Sequence, residues 1–403
     1  MLRVTERALT RMNHPDTSLS IAYANYGEQS GVTAHVAGAL RALGHRIAPV
    51  SARGPLDLRD PQTRLPRLTR DVFAHLAVAA ARFRGRALAY RWNTAYAFDV
   101  HSRYLGAAID GLDPAPDVVL QNGALFAPGA PPRVPYVLLL DHTRALAEAS
   151  PAFPAAGLAA PPRYGPSWFA RERACYQGAA AIATFSENVA RSLVRDYGIA
   201  GQRVEIVGAG ANAVPERVVR ADDGETILFV GREFARKGGT FLLDAFELVR
   251  RRRPSARLLI AGPPEPLALP AGAEQLGPVP YEELEPLFAR ATVFALPTLW
   301  EPFGIAFLDA MACGVPCVGT HVEAVPEIVE DGKTGVLVPP GDPAALAEAL
   351  LALLGDPARA RAMGAAGRAR VQGRFLWSHV GGRLDGLLQS VRATPRQPAR
   401  AAS

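Results

Sequence analysis

Acids, cations and glycines that could do chemistry together are concentrated in two stretches. The first is Leu296-Pro-Thr-Leu-Trp-Glu-Pro-Phe-Gly-Ile-Ala-Phe-Leu-Asp-Ala-Met-Ala-Cys-Gly-Val-Pro316. Glu301 falls in a loop, Phe303 and Gly304 follow it, and Asp309 sits in the second turn of the helix that opens there. The first N–H groups of a helix lack partners and the helix dipole favours negative charge. A loop acid beside bare amides therefore suits a ligand that carries both hydroxyls and phosphates. Asp309 lies about 7–8 Å along the helix axis from Gly304. Two acids so placed touch different parts of one extended ligand instead of sharing a proton.

The second stretch begins with an apolar run, Ile227–Val230, that leads into Gly231-Arg-Glu-Phe-Ala-Arg-Lys-Gly-Gly239 and then a helical pattern. Arg232 offers a planar fork to phosphate oxygens and Lys237 a compact charge, which makes this glycine-bounded loop a phosphate cradle by composition. It has neither the Walker spacing nor the Gly-x-Gly-x-x-Gly fingerprint. The three cysteines, Cys175, Cys313 and Cys317, are too few for a disulfide framework and read as buried thiols of a reducing compartment. His321, the histidine nearest to the last two, lacks further ligating neighbours, so no metal site is expected.

These groups need a scaffold, and the hydrophobic pattern specifies one. Apolar runs at 19–23, 118–120, 136–140, 180–185 and 204–207, then 226–230, 256–261, 293–296, 316–319 and 335–338, alternate with helical patterns. Among the latter are 33–43, 188–197, 240–252, 281–290 and 343–354. Such alternation predicts parallel sheets covered on both faces, an α/β chain of two doubly wound Rossmann-like halves. The Gly/Pro/Asp-rich stretch from Gly208 to Gly224 separates them, and ligands of such sheets sit beyond the strands' carboxyl ends, here in the cleft between halves. The expected division is 1–17 tail, 18–208 first domain, 209–224 linker, 225–375 second domain, 376–391 returning helix and 392–403 tail.

Residues 145–167, rich in Ala, Pro and Gly, read as a long loop facing the cleft. Residues 62–93 carry Arg64, Arg67, Arg70, Arg82, Arg84, Arg86 and Arg91 among apolar side chains. Two readings fit them, a solvated arginine face or a surface that lies on anionic lipid. The formal net charge of +6 permits phosphate or lipid contact and does not call for nucleic acid. No apolar run is long enough to span a membrane, and Met1 to Asp16 shows no apolar signal core. The expected location is the cytoplasm, with peripheral contact at the inner face of the membrane if 62–93 binds lipid.

Taken together, the two stretches resemble the retaining glycosyltransferases of family 4, from about residue 168 to 391. Further motifs carry the likeness: Glu172 to Glu187, Leu276-Gly-Pro-Val-Pro-Tyr-Glu-Glu-Leu284, Asp331-Gly-Lys-Thr-Gly-Val-Leu-Val338, and a final helix from Phe375 to Val391. In the first half the match is looser, Gly27-Glu-Gln-Ser-Gly31 before a helix and Gly44-His45 before the next strand. The resemblance implies a GT-B fold, with two Rossmann-like domains facing across a cleft and the C-terminal helix returning to the N-terminal domain. It implies a UDP- or GDP-linked sugar donor, an acceptor hydroxyl, and no metal or other cofactor. Arg232 and Lys237 would hold the diphosphate, and Glu301 with the amides of Phe303 and Gly304 would meet the sugar. Asp309 would take the ribose, Val279 would line the base pocket, and Gly31 would let the opposite chain approach the donor.

Three departures stand out. Asp309 replaces the family's second Glu, Asp141-His142 stands where relatives place His-Asp, and Glu323-Ala324 replaces two glycines before Pro326-Glu327. Asp141 is nonetheless expected in the cleft, in a sugar or acceptor role. A nucleotide-sugar-binding protein without transfer, or a GT-B phosphorylase or sugar-phosphate synthase, remains compatible with the same motifs. Elsewhere, Glu327 reads as a helix-start acid, His35 as packing on the first helix, and Ser186 as a helix cap.

Overall fold

A computed structural model describes residues 18–27, 30–60, 63–150 and 163–393. Two six-stranded sheets carry the fold. In the first half β1 (Ser20–Asn25), β2 (Arg46–Ser51), β3 (Val118–Asn122), β4 (Tyr136–Leu140), β5 (Ala181–Thr184) and β6 (Val204–Ile206) stand in the order β2-β1-β3-β4-β5-β6. In the second, β7 (Thr226–Val230), β8 (Arg257–Ala261), β9 (Ala273–Gly277), β10 (Val293–Ala295), β11 (Cys317–Thr320) and β12 (Gly335–Val338) stand as β12-β11-β10-β7-β8-β9. All neighbours pair parallel. Parallel pairing requires crossover helices, and those helices bury both faces, which is why β1, β3 and β4 consist wholly of buried residues.

The strand order reverses between β1 and β3 in one sheet and between β7 and β10 in the other. At such switch points the following loops diverge and open a crevice. The loop after β7 carries Arg232 and Lys237, the loop after β10 carries Glu301, and the loop after β1 carries Ser30 and Gly31. Topology alone thus points the three loops at the cleft.

The chain passes from the first sheet to the second after β6 and returns near Phe375. These crossings touch, with Ala211 N–H donating to the Phe375 carbonyl at 2.9 Å. The Trp377–Ala393 helix then packs on the Val32–Ala42 helix of the first half, close enough that a Cβ at Gly381 would lie 2.8 Å from Ala39 Cβ. His45 fixes the contact: its Nδ1 accepts from Leu19 N–H, so Nε2 carries the proton toward Asp385 at 3.0 Å.

Several expectations need correction. Residues 145–167 are not one loop: Arg144–Ala149 and Pro166–Gly178 are helices, and only 151–162 lie outside the described residues. β6 is an exposed edge strand, not a buried one. The 1–17 tail lies outside the described residues; so does the other tail from 394 on, and the last helix runs to Ala393. Of the arginines in 62–93, Arg67 turns inward to Asp60 and the Gly54 carbonyl, and Arg91 lies over Trp92. The three cysteines are free and buried, as expected.

Candidate active site

The loop between β7 and the Gly239–Arg252 helix is a tight turn. Lys237 N–H donates to the Glu233 carbonyl at 2.9 Å and Gly239 N–H to the Phe234 carbonyl at 2.8 Å. The Lys237 stem lies where a Cβ of residue 231 would stand, which explains Gly231. Gly238, at φ 74°, has no room for a Cβ beside the Pro297 carbonyl. The turn therefore directs Lys237 inward, where Nζ meets Glu301 Oε2 at 2.8 Å. Both side chains are nearly buried, at 15% and 10% exposure. Arg232, earlier in the same loop, is solvent-exposed.

Glu301 reaches this position because its loop is tied to the first one. Leu299 N–H donates to the Arg236 carbonyl at 3.0 Å, and Arg236 Nη1 donates to the Trp300 carbonyl at 2.6 Å. The Arg236 guanidinium also lies over the Trp300 ring and comes within 3.9 Å of Glu301. Gly304 starts the Ile305–Ala312 helix at φ 111°, a left-handed geometry that excludes most side chains. No hydrogen bond within the described residues uses the N–H of Phe303 or Gly304.

A cavity of about 490 Å³ between the halves gathers these groups. Arg232, Arg236, Lys237, Glu301 and Asp141 are among its polar lining residues, and Val230, Val279, Leu284 and Phe288 among its apolar ones. Phe303, Gly304 and Asp309 line it as well. Cations and apolar side chains in one cavity suit a ligand that carries both phosphates and a flat ring. Of the residues expected to bind the donor or act in transfer, Gly31 alone is not part of the lining, although Ser30 and Val32 on either side of it are. The chain that approaches Gly31 is Asn212: a Cβ on Gly31 would come within 2.9 Å of Asn212 Nδ2.

Asp309 is 3% exposed and well supplied with donors. Its Oδ1 accepts from the N–H of Asn212 at 2.7 Å and of Ala213 at 3.1 Å, and its Oδ2 accepts from Tyr281 Oη at 2.5 Å. Burial pushes its carboxyl up to about 6, against the downward pull of the Tyr281, Ala213 and Asn212 hydrogen bonds. Burial likewise raises Asp141; neighbouring His142 and Arg144 oppose the shift and Glu301 adds to it.

Two expectations about single residues change in the folded chain. Glu327 does lie in the first turn of a short helix, Val325–Ile328, but the helix end it serves is in the other half. Its carboxylate accepts from the N–H of Glu187 at 2.7 Å and of Asn188 at 2.9 Å, where Ser186 already caps the Glu187–Tyr197 helix. Beside it Glu323, at φ 46°, accepts from Asn188 Nδ2 at 2.7 Å and stands 3.6 Å from His142 Nε2. His35 stacks parallel on Trp377 of the returning helix, with centroids 5.5 Å apart.

Arg236, Trp300, Tyr281, Asn212 and Asn122 were not singled out from the sequence. Arg236 could have been, as a third cation in the same loop. Asn122, at the end of β3, lines the cavity with a buried Nδ2 that has no partner among the described residues. No sequence pattern marks it.

Comparison with known proteins agrees with this architecture. Residues 224–356 match the family model described as Glycosyl transferases group 1. The chain is 31% identical over 250 residues to an alpha-maltose-1-phosphate synthase of Mycolicibacterium smegmatis, a match covering 53% of this chain and 63% of that protein. It is 37% identical over 187 residues to a GDP-mannose-dependent alpha-(1-6)-phosphatidylinositol monomannoside mannosyltransferase of the same organism, covering 42% and 49%. The chain thus spans about half to under two-thirds of the curated relatives it matches. Among solved structures, sucrose-phosphate synthase from Thermosynechococcus elongatus superposes with a TM-score of 0.66 at 22% identity, covering 93% of this chain and 99% of that one. Two parallel six-stranded sheets facing across a cleft, with this likeness over almost the whole chain, make the fold GT-B, and its second half carries the group 1 glycosyl transferase match.

Proposed function

We propose that the cleft binds a nucleoside-diphosphate sugar, UDP- or GDP-linked, and passes its sugar with retention to an acceptor hydroxyl. What supports this most is that Arg232, Lys237, Glu301, Asp309 and the open amides of Phe303 and Gly304 share one cavity with the apolar Val279, Leu284 and Phe288. Residues 18–208 take the acceptor side and 225–375 the donor, with 209–224 as the connector and 376–391 as the returning helix. The base lies along Val279, the ribose reaches Asp309, and the diphosphate rests between Arg232, Lys237 and the helix start. The sugar meets Glu301, and Asp141 faces it from the first half.

In the reaction the C1–O bond to diphosphate breaks and a C1–O bond to the acceptor oxygen forms on the same face. The acceptor proton passes to the departing diphosphate. Diphosphate leaves readily, so preorganised cations and amides matter more than a strong acid. They neutralise it without a metal ion.

A thermal-shift panel tests the proposal. A ligand at one hundred times its Kd stabilises the folded state by about 2.7 kcal/mol. A UDP- or GDP-sugar is therefore expected to raise the unfolding temperature by several degrees, and no response to either class would refute the reading. Turnover in the presence of an acceptor panel then separates transfer from binding alone. Likeness to an alpha-maltose-1-phosphate synthase favours a second reading in which the acceptor is a sugar phosphate; dependence of product on added sugar phosphate would identify it.

Asp309 gives the reaction a pH signature. An acid whose folded value exceeds its unfolded one contributes stability that is full below about 4 and is lost as pH rises through about 6. Ligand recognition runs the other way, because ribose hydroxyls donate best to an ionised carboxylate. Donor affinity is expected to strengthen from about pH 5 to about pH 7, and Asp309→Asn to flatten that rise. Calorimetric titrations across the window provide the check.

The outer face of 62–93 is proposed to rest on anionic lipid at the cytoplasmic face of the membrane. The Arg70–Phe83 helix buries Val72, His75 and Ala79 and turns Arg70 and Phe73 outward. Leu65, Leu68, Phe73 and Leu88 are all more than half exposed, among Arg64, Arg84 and Arg86. Each arginine near such a surface is worth about 1 kcal/mol, so replacing Arg70, Arg84 and Arg86 with Gln is expected to weaken vesicle binding about 100-fold. Cosedimentation with phosphatidylglycerol vesicles measures this, and absence of binding by the unaltered protein would exclude it.

A further inference from the structure

Asn212 stands where the chain crosses between the sheets, and its N–H and both ends of its carboxamide serve three different parts of the molecule. The N–H donates to Asp309 Oδ1 at 2.7 Å. Nδ2 donates to the Ser30 carbonyl at 2.8 Å, and Oδ1 accepts from Trp377 Nε1 at 3.0 Å. Ala213 N–H adds a second bond to the same Asp309 oxygen. Gly31, at φ 77°, leaves the space that the carboxamide occupies. Ser30 and Val32 belong to the first-half wall of the cavity, and Asp309 to the second-half wall.

We infer that Asn212 is a positioning residue that links donor binding at Asp309 to placement of the Ser30–Val32 segment over the donor. The inference rests on the reading that the cleft takes a nucleoside-diphosphate sugar, and it adds the residue through which the first half responds. An ionised carboxylate has about four acceptor positions. Asn212, Ala213 and Tyr281 use three of those on Asp309, which leaves one for a ribose hydroxyl. A ligand bound there shares its carboxylate with the connector. Any movement of Asp309 passes to Asn212 through a short bond, and on to Ser30 through the carboxamide. A ligand shifts an equilibrium only if it interacts differently with the two states. Here the difference is contact with Ser30–Val32, available when Asn212 holds that segment in place.

Hydrogen–deuterium exchange of the full chain, with and without UDP or GDP, tests this. In the unaltered protein, nucleotide is expected to slow exchange both around 301–312 and at 30–40. Asn212→Asp keeps an acceptor for Trp377 but removes the donor to Ser30. It is expected to retain nucleotide protection at 301–312, to lose it at 30–40, and to weaken Kd about 5-fold or more. Trp377→Phe, which removes the indole N–H to Asn212 and trims the ring stacked on His35, is a second variant with Asn212 intact and should reduce the first-half protection in part. A merely architectural role would speed exchange equally with and without nucleotide and leave the nucleotide-induced difference intact. That result, or protection confined to the second half in the unaltered protein, would overturn the inference while leaving the donor site standing. If the unaltered protein binds neither UDP nor GDP, the donor reading fails and this inference falls with it.

Discussion

Lys237→Ala is expected to lower sugar transfer by about 10²–10³-fold, the range seen when one preorganised donor to developing negative charge is removed. The effect should lie in kcat more than in KM, because the diphosphate gains charge as the C1–O bond breaks. Lys237 has little freedom to be replaced by a neighbour: Gly231 and Gly238 shape the turn around its stem, and Arg236 is already engaged with the Trp300 carbonyl and Glu233. Steady-state kinetics with a UDP- or GDP-sugar identified by thermal shift would measure the loss. Turnover within 5-fold of the unaltered protein would remove Lys237 from the reaction, 5-fold being about 1 kcal/mol.

Glu301→Gln is expected to cost about 10²-fold for a different reason. Its carboxylate accepts from Lys237 and, in the proposed complex, from the transferred sugar. Gln keeps the shape and loses the charge that holds Lys237 in place. Glu301→Gln also leaves the Lys237 charge without its partner in a nearly buried position, a situation that costs about 3–5 kcal/mol where burial is complete and less beside an open cleft, whereas Lys237→Ala leaves Glu301 with Arg236 at 3.9 Å. Stability and activity can therefore be separated. The double variant Lys237→Met/Glu301→Gln buries neither charge and is expected to recover much of the lost unfolding temperature while remaining inactive. Recovery of activity in the double variant would show that the single variants act through folding alone.

Much of the scaffold was legible in the chain because central parallel strands are apolar on both faces. β4, β7 and β12 coincide with apolar runs residue for residue, and the glycines of the β7 loop announce a tight turn. Edge strands carry this mark unevenly: β12 is apolar throughout, whereas β9 at the opposite edge is not. β9, Ala273–Gly277, has no buried residue and is interrupted by Glu274 and Gln275, so no apolar run distinguishes it. The helices Ala95–Asp110 and Pro357–Arg374 were likewise not singled out; small and charged residues dilute the apolar period of the latter.

What the amino-acid order determined by itself is local: which loops follow which strands, that Arg232 and Lys237 share a turn, and that Glu301, Gly304 and Asp309 lie along one helix start. Only the tertiary structure decided how distant segments satisfy one another. Asp309 meets Asn212 across 97 positions of chain, Glu327 meets Glu187 across 140, and Asn212 meets Ser30 across 182. A buried carboxylate or carboxamide must find hydrogen-bond partners wherever packing brings them. Its own sequence neighbourhood does not state which segment will supply them. The strand order that places two switch points face to face supplies them here, and so turns two recognisable loops into a single cleft.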